Sequence, residues 1–145
     1  MTFLDRGFVF ALVYADDVNH VRVREVLDRY RDRPLADFVL TTNHVVAETV
    51  TLLRRKAGSD SRVRHTLAAR TGERMLAGAF GKVHHTTVEE ERAALAYSAR
   101  HEDKVYSFVD CLSFVLMDRL GIREAFTVNG DFTHRFVALP GPQPR

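Results

Sequence analysis

The chain reads as one α/β domain, a three-layer α/β/α sandwich around a central parallel sheet of short strands. Three observations predict this. Apolar stubs of a few residues alternate with longer stretches of helical periodicity, the pattern of parallel strands joined by helical crossovers. Helix-capping residues follow closely on several of those stubs. The 145 residues, 46% hydrophobic and 28% charged, suffice for one core.

The elements follow in order. Phe3-Leu4 is a short first strand that ends at Asp5, and Gly7 permits a turn into an apolar helix from Phe8 to Tyr14. Asp16-Asp17 breaks that helix. Asp17 or Asn19 caps the next, which runs to about Tyr30 with Val23, Val26, Leu27 and Tyr30 at helical spacing. Pro34 ends the unit. Phe38 to Thr41 is β-prone, and Thr42 or Asn43 caps a helix to about Lys56, closed by Gly58. Ser61 to Leu76 forms a fourth helix, followed by a loop around Gly78 and Gly81. Val83 to Thr86 is a strand. Thr87-Val88-Glu89-Glu90 is a capping box that opens a helix to about Arg100. After a polar loop from His101 to Tyr106, Ser107 to Asp110 repeats that logic for a helix ending at Gly121, and Ala125 to Val128 is the next strand. The domain is expected over residues 1–139. Residues 140–145 hold three of the four prolines and are expected to be an irregular tail.

Composition excludes several classes. The single cysteine, Cys111, allows neither an internal disulfide nor a Cys-type zinc site. No apolar run approaches a membrane span and no basic-then-apolar leader opens the chain; a cytoplasmic protein is expected. The seven histidines have no ligand spacing, and no Walker loop, G-x-G-x-x-G or G-x-S-x-G occurs. The net charge of +2 is too small to argue for nucleic acid. Only Lys56, Lys82 and Lys104 of the 21 basic residues are lysine. Arginine suits phosphate, but a GC-rich genome accounts for this bias more simply.

The informative residues are carboxylates at the ends of apolar elements. Asp5 ends the first strand. Glu48 interrupts the apolar stripe of Val45 and Leu52. Asp110 shares a helix face with Phe114 and Met117, and Asn129 and Asp131 lie just past the strand ending at Val128. Strand ends and helix starts meet at the crevice of a parallel sheet. Read singly, each acid has a plain explanation: a turn residue for Asp5, a core salt bridge for Glu48, a first-turn acid for Asp110. Read together, they suit a hard divalent cation, Mg²⁺ or Mn²⁺, because unpaired buried charge is costly. Arg6 could clamp a phosphate or pair with one of these acids. Arg54-Arg55-Lys56 is the densest basic cluster, and cations at a helix C-terminus explain it without a ligand.

Three segments, Phe3-Leu4-Asp5-Arg6-Gly7-Phe8 through Leu12, Thr41 to Thr49, and Asp103 to Phe114, occur in an order and spacing that resembles the PIN-domain family, especially the VapC-like toxins of bacterial toxin–antitoxin modules. The likeness covers nearly the whole chain. It implies a PIN-like fold and a Mg²⁺- or Mn²⁺-dependent endoribonuclease, the toxin of such a module. By position it implies Asp5, Glu48 and Asp110 as metal-binding and catalytic acids. The family's fourth acid falls at Asn129 here, with Asp131 two residues on, so either residue is a candidate fourth ligand. The residue after the first Asp is usually Thr or Ser, and here it is Arg6. These two departures imply a reduced metal affinity or rate, and keep open the alternative of a catalytically weakened module that binds RNA or protein. Arg6, Arg54 and Arg55 are the candidate RNA contacts. The resemblance further implies a small antitoxin partner and a homodimer.

Overall fold

A computed structural model describes residues 1–145. Five strands, β1 (Thr2–Leu4), β2 (Val39–Thr42), β3 (Lys82–His84), β4 (Glu124–Thr127) and β5 (Val137–Pro140), form one sheet in the order β3-β2-β1-β4-β5. Every pairing is parallel. Six helices flank it: α1 (Arg6–Val13), α2 (His20–Asp28), α3 (Asn43–Lys56), α4 (Ser61–Leu76), α5 (Val88–Arg100) and α6 (Phe108–Leu120). The α/β sandwich expected from the alternating pattern is the observed architecture.

β1 lies at the centre. The chain steps outward from β1 to β2 and β3, then returns to the other side of β1 for β4 and β5. The direction of winding therefore reverses between β1 and β4, and a crevice opens beyond their carboxyl ends. Asp5 and the segment after Thr127 border that crevice.

The two-residue period of a strand sorts side chains between the two faces. Leu4 pairs in register with Phe126. On that face Phe8 of α1 stacks on Phe126 at 5.1 Å, and Tyr30 meets its edge at 5.5 Å. Phe3 faces the other way. It lies 6.4 Å from Phe132, and Phe114 of α6 crosses Phe132 at 4.9 Å. Phe3, Phe8, Phe114, Phe126 and Phe132 are all fully buried, each contributing about 2–3 kcal/mol by removal from water. By the same alternation Asp5 follows Phe3 onto the α6 face.

Helix boundaries follow the capping chemistry. Thr42 accepts the amide of Val45 and starts α3. Asp60 accepts the amides of Arg62 and Val63 and starts α4. The capping boxes at Thr87/Glu90 and Ser107/Asp110 are both closed, and Gly121, with φ 69°, terminates α6 in the left-handed conformation.

Four details differ from the sequence expectation. Gly7 does not turn the chain: α1 begins at Arg6, immediately after extended Asp5. A Cβ on Gly7 would stand 2.9 Å from Val128 Cγ2, so this glycine permits close approach of α1 to the end of β4. α2 stops at Asp28, before Tyr30. β3 is Lys82–His84 rather than Val83 to Thr86, because the Thr86 amide leaves the ladder and donates to Asn43 Oδ1 at 3.0 Å. The sequence also concealed β5: Pro140, placed in the irregular tail, is its last residue and pairs with Thr127. Proline is tolerated there because β5 is an edge strand. Gly141 to Arg145 form no regular element.

Candidate active site

Three carboxylates from three elements converge on one guanidinium. Arg6 Nη1 is 3.8 Å from Asp5 Oδ1, 2.8 Å from Glu48 Oε2 and 3.4 Å from Asp110 Oδ1. β1 delivers Asp5, the first turn of α6 delivers Asp110, and α3 delivers Glu48 from its second turn. Arg6 is the first residue of α1, and its side chain reaches back over the strand end.

Each buried carboxylate divides its two oxygens. Asp5 Oδ2 accepts the Thr127 hydroxyl at 2.8 Å, while Oδ1 faces Arg6. Asp110 Oδ2 accepts the Ser107 amide at 3.3 Å in the α6 capping box, while Oδ1 faces Arg6. One oxygen of each is thus fastened to the fold by a neutral donor, and the other faces the guanidinium. Glu48 is less enclosed, its side chain 31% exposed against 3% for Asp5 and 4% for Asp110. Its Oε2 is close enough to Arg6 to be an ion pair, but no donor is aligned to hydrogen-bond it.

Charge at the cluster does not balance: three carboxylates face one guanidinium. Burial pushes Asp5 up to about 6 from the usual 3.8; Asp110 adds to the rise, and Arg6 and the Thr127 hydroxyl oppose it. Burial also raises Glu48, against the pull of Arg6. Burial opposes the charge on Arg6, but Asp5, Glu48 and Asp110 outweigh it and hold the guanidinium protonated more firmly than usual.

The expected site residues separate into groups. Asp5, Glu48, Asp110 and Arg6 meet. Asn129 joins them with its amide: Nδ2 donates to Asp110 Oδ1 at 3.5 Å, while Oδ1 accepts the Asp131 amide at 2.9 Å. Asp131 is exposed, and its carboxylate pairs with none of the cluster. Arg55 lines a cavity of about 370 Å³ beside the cluster, together with Arg6, Glu48, Thr51, Leu52 and Lys56. Arg54 is exposed outside that lining, and its carbonyl accepts Arg64 Nε. The sequence reading missed Thr127, Thr51 and Lys56 as parts of the site. Strand alternation carried a signal for Thr127, which sits on the same face as Asp5 once β1 and β4 are paired.

The donor set suits a hard divalent ion: three carboxylates, with no sulfur, and one buried oxygen without a hydrogen bond. The spacing suits the guanidinium. No three acidic, His or Cys side chains stand close enough together to ligate an ion as they are placed. In this placement the Arg6 guanidinium occupies the point between the three carboxylates.

The PIN domain family model matches residues 2–135. The 23S rRNA-specific endonuclease VapC20 of Mycobacterium tuberculosis, from strains CDC 1551 / Oshkosh and H37Rv, is 35% identical over 133 residues, covering 92% of each chain. The crystal structure of M. tuberculosis VapC20, described as a sarcin–ricin loop cleaving toxin, superimposes with a TM-score of 0.78 at 31% identity, over 92% of this chain and 94% of that one. Sequence and fold agree, and the chain belongs to the PIN-domain family.

Proposed function

We propose that this protein is a metal-dependent endoribonuclease that hydrolyses RNA phosphodiester bonds as the toxin of a toxin–antitoxin module. The observation that carries this reading is the charge imbalance: three carboxylates, two of them buried, converge on a point with one positive charge. Membership of the family and the activity named for VapC20 support the reaction class.

Asp5, Glu48 and Asp110 would hold Mg²⁺ or Mn²⁺. When bound, such an ion acidifies a water and neutralises charge on the phosphoryl group under attack. The chain's own residues do the rest. Thr127 and the Ser107 amide hold the Asp5 and Asp110 carboxylates in orientation. Arg55 and Lys56 line the neighbouring cavity with positive charge and hold the RNA backbone there. Hydrolysis adds water across the P–O3′ bond, leaving 5′-phosphate and 3′-hydroxyl ends. Asn129 donates to Asp110 and leaves the cluster one negative charge short of a four-acid site, which lowers its attraction for the ion.

The partners in this reading are RNA, a small antitoxin protein that covers the crevice, and a second copy of the chain. The placement of Arg6 among the acids favours a second reading, a weakened PIN fold that binds RNA without cutting it.

One assay separates the two. Purified protein is incubated with ribosomal RNA, or with a sarcin–ricin loop oligonucleotide, in Mg²⁺, Mn²⁺ or EDTA. Cleavage with either ion, abolished by EDTA and by Asp110→Asn, is expected. RNA retention without cleavage under every condition would establish the binding module instead.

A further inference from the structure

We propose that Arg6 is the resident cation of the carboxylate cluster, and that a divalent ion enters by exchange with its guanidinium, which withdraws into the adjoining cavity. The inference rests on the reading of the cluster as an ion site, and it concerns what this chain places there when no ion is bound.

The geometry points to exchange rather than coexistence. Nη1 of Arg6 lies within 4 Å of Asp5 Oδ1, Glu48 Oε2 and Asp110 Oδ1 at once. Thr127 and the Ser107 amide hold the other oxygens of Asp5 and Asp110, and Glu48 Oε2 has no hydrogen-bond donor. An ion held by the same atoms would stand beside the guanidinium, and two cations at that distance repel strongly in a partly buried site. The carboxylates also cannot close to the 2.0–2.1 Å of Mg²⁺ ligation while a guanidinium separates them.

An outlet exists. Arg6 lines the cavity of about 370 Å³ along α3, so its side chain already borders the space it would enter. Arg6 also has the means to move: its side chain is 28% exposed and its anchor is the first turn of α1 rather than a strand in the sheet. In the cavity the guanidinium joins Arg55 and Lys56, so withdrawal concentrates positive charge where the RNA backbone would lie. Ion entry and phosphate binding would then reinforce each other, and such coupling is reciprocal.

The test is Mn²⁺ binding by calorimetry to the wild type, Arg6→Gln and Arg6→Lys. Exchange predicts at least tenfold tighter binding by Arg6→Gln and near-wild-type binding by Arg6→Lys, which keeps a cation. In EDTA, Arg6→Gln should melt below the wild type, since its carboxylates lack their counter-charge, and saturating Mn²⁺ should raise its melting temperature by more. A second measurement needs no variant. In the ¹⁵N-labelled wild type, the Arg6 side-chain resonance should shift and lose its exchange protection as Mg²⁺ saturates. Arg6→Gln binding no tighter than the wild type overturns the proposal, as does an Arg6 resonance unchanged at saturation, or no binding by any form. If Arg6→Gln binds tightly while neither it nor the wild type cuts RNA, exchange stands and the ribonuclease reading falls.

Discussion

Asp5 is a buried acid beside two other carboxylates, and its environment makes two predictions. The Thr127 hydroxyl is its one neutral side-chain partner, at 2.8 Å. Thr127→Val preserves shape and removes the donor. By the usual effect of losing a residue that orients a metal ligand, Mn²⁺ affinity or cleavage should fall roughly 10- to 100-fold. Calorimetry beside a melting curve checks that the loss is local; unchanged affinity would mean that the hydroxyl does not orient the carboxylate. The second prediction concerns pH. The folded-state value of Asp5 is raised from 3.8 to about 6. A raised value means that the fold favours the protonated form. Its stabilising contribution is therefore fully present below about pH 4, and is lost as pH rises through about 6, to a total of about 3 kcal/mol. Asp5→Asn stays neutral throughout. In EDTA it should be more stable than the wild type at pH 8, and the advantage should vanish near pH 4. Denaturant melts at the two pH values measure this, and an advantage of the same size at both would contradict it.

At the scale of elements, the starts of α1 and α6 build the site. α6 begins with a box in which Asp110 both closes the cap and faces Arg6. The residue that closes the helix start is thus also the carboxylate that faces the guanidinium. α1 begins at once after β1 and lies against the end of β4, a contact that a Cβ at position 7 would crowd. Gly7→Ala places a methyl 2.9 Å from Val128 Cγ2. Overpacking of this kind costs about 1–3 kcal/mol, against less than about 1 kcal/mol gained in helix propensity. The net expectation is destabilisation, relieved when Val128→Ala is added to make room. A double-mutant cycle from urea melts reads the coupling, and strictly additive effects would show that the two residues do not meet.

For the whole molecule, the sheet order matters most. Reversal between β1 and β4 brings residues 5, 110 and 129 to one crevice, and α3, following the neighbouring β2, adds residue 48. No single element holds the cluster, so its unbalanced charge weighs on the global fold. A divalent ion that binds only the folded state should then stabilise it by about 2.7 kcal/mol at a hundred times its dissociation constant. For a chain of this size that is a rise of roughly 5–15 °C in melting temperature. EDTA should reverse the rise, and Asp110→Asn should abolish most of it. Equal melting temperatures with Mn²⁺ and with EDTA would argue against an ion site. No helix is long and apolar enough to cross a membrane.

Legible in the sequence were the fold class, the six helices, the capping boxes at Thr87 and Ser107, four of the five strands, and the acids Asp5, Glu48 and Asp110 as residues in need of an explanation. These follow from local rules: periodicity, capping chemistry, and the cost of charge on an apolar face. Only the tertiary structure decided what those acids face. That Asp5 and Thr127, 122 residues apart, share a hydrogen bond depends on the pairing of β1 with β4. That Arg6 sits among three carboxylates instead of reaching into solvent depends on where α3 and α6 are packed. Asn129 and Asp131 were equal candidates in the sequence; the turn after β4 directs Asn129 to Asp110 and leaves Asp131 exposed. β5 escaped notice for the same reason: three apolar residues before a proline make a strand only where an edge of the sheet offers them a partner. Local pattern specifies which residues must be buried or paired, but the identity of each partner is a property of long-range packing.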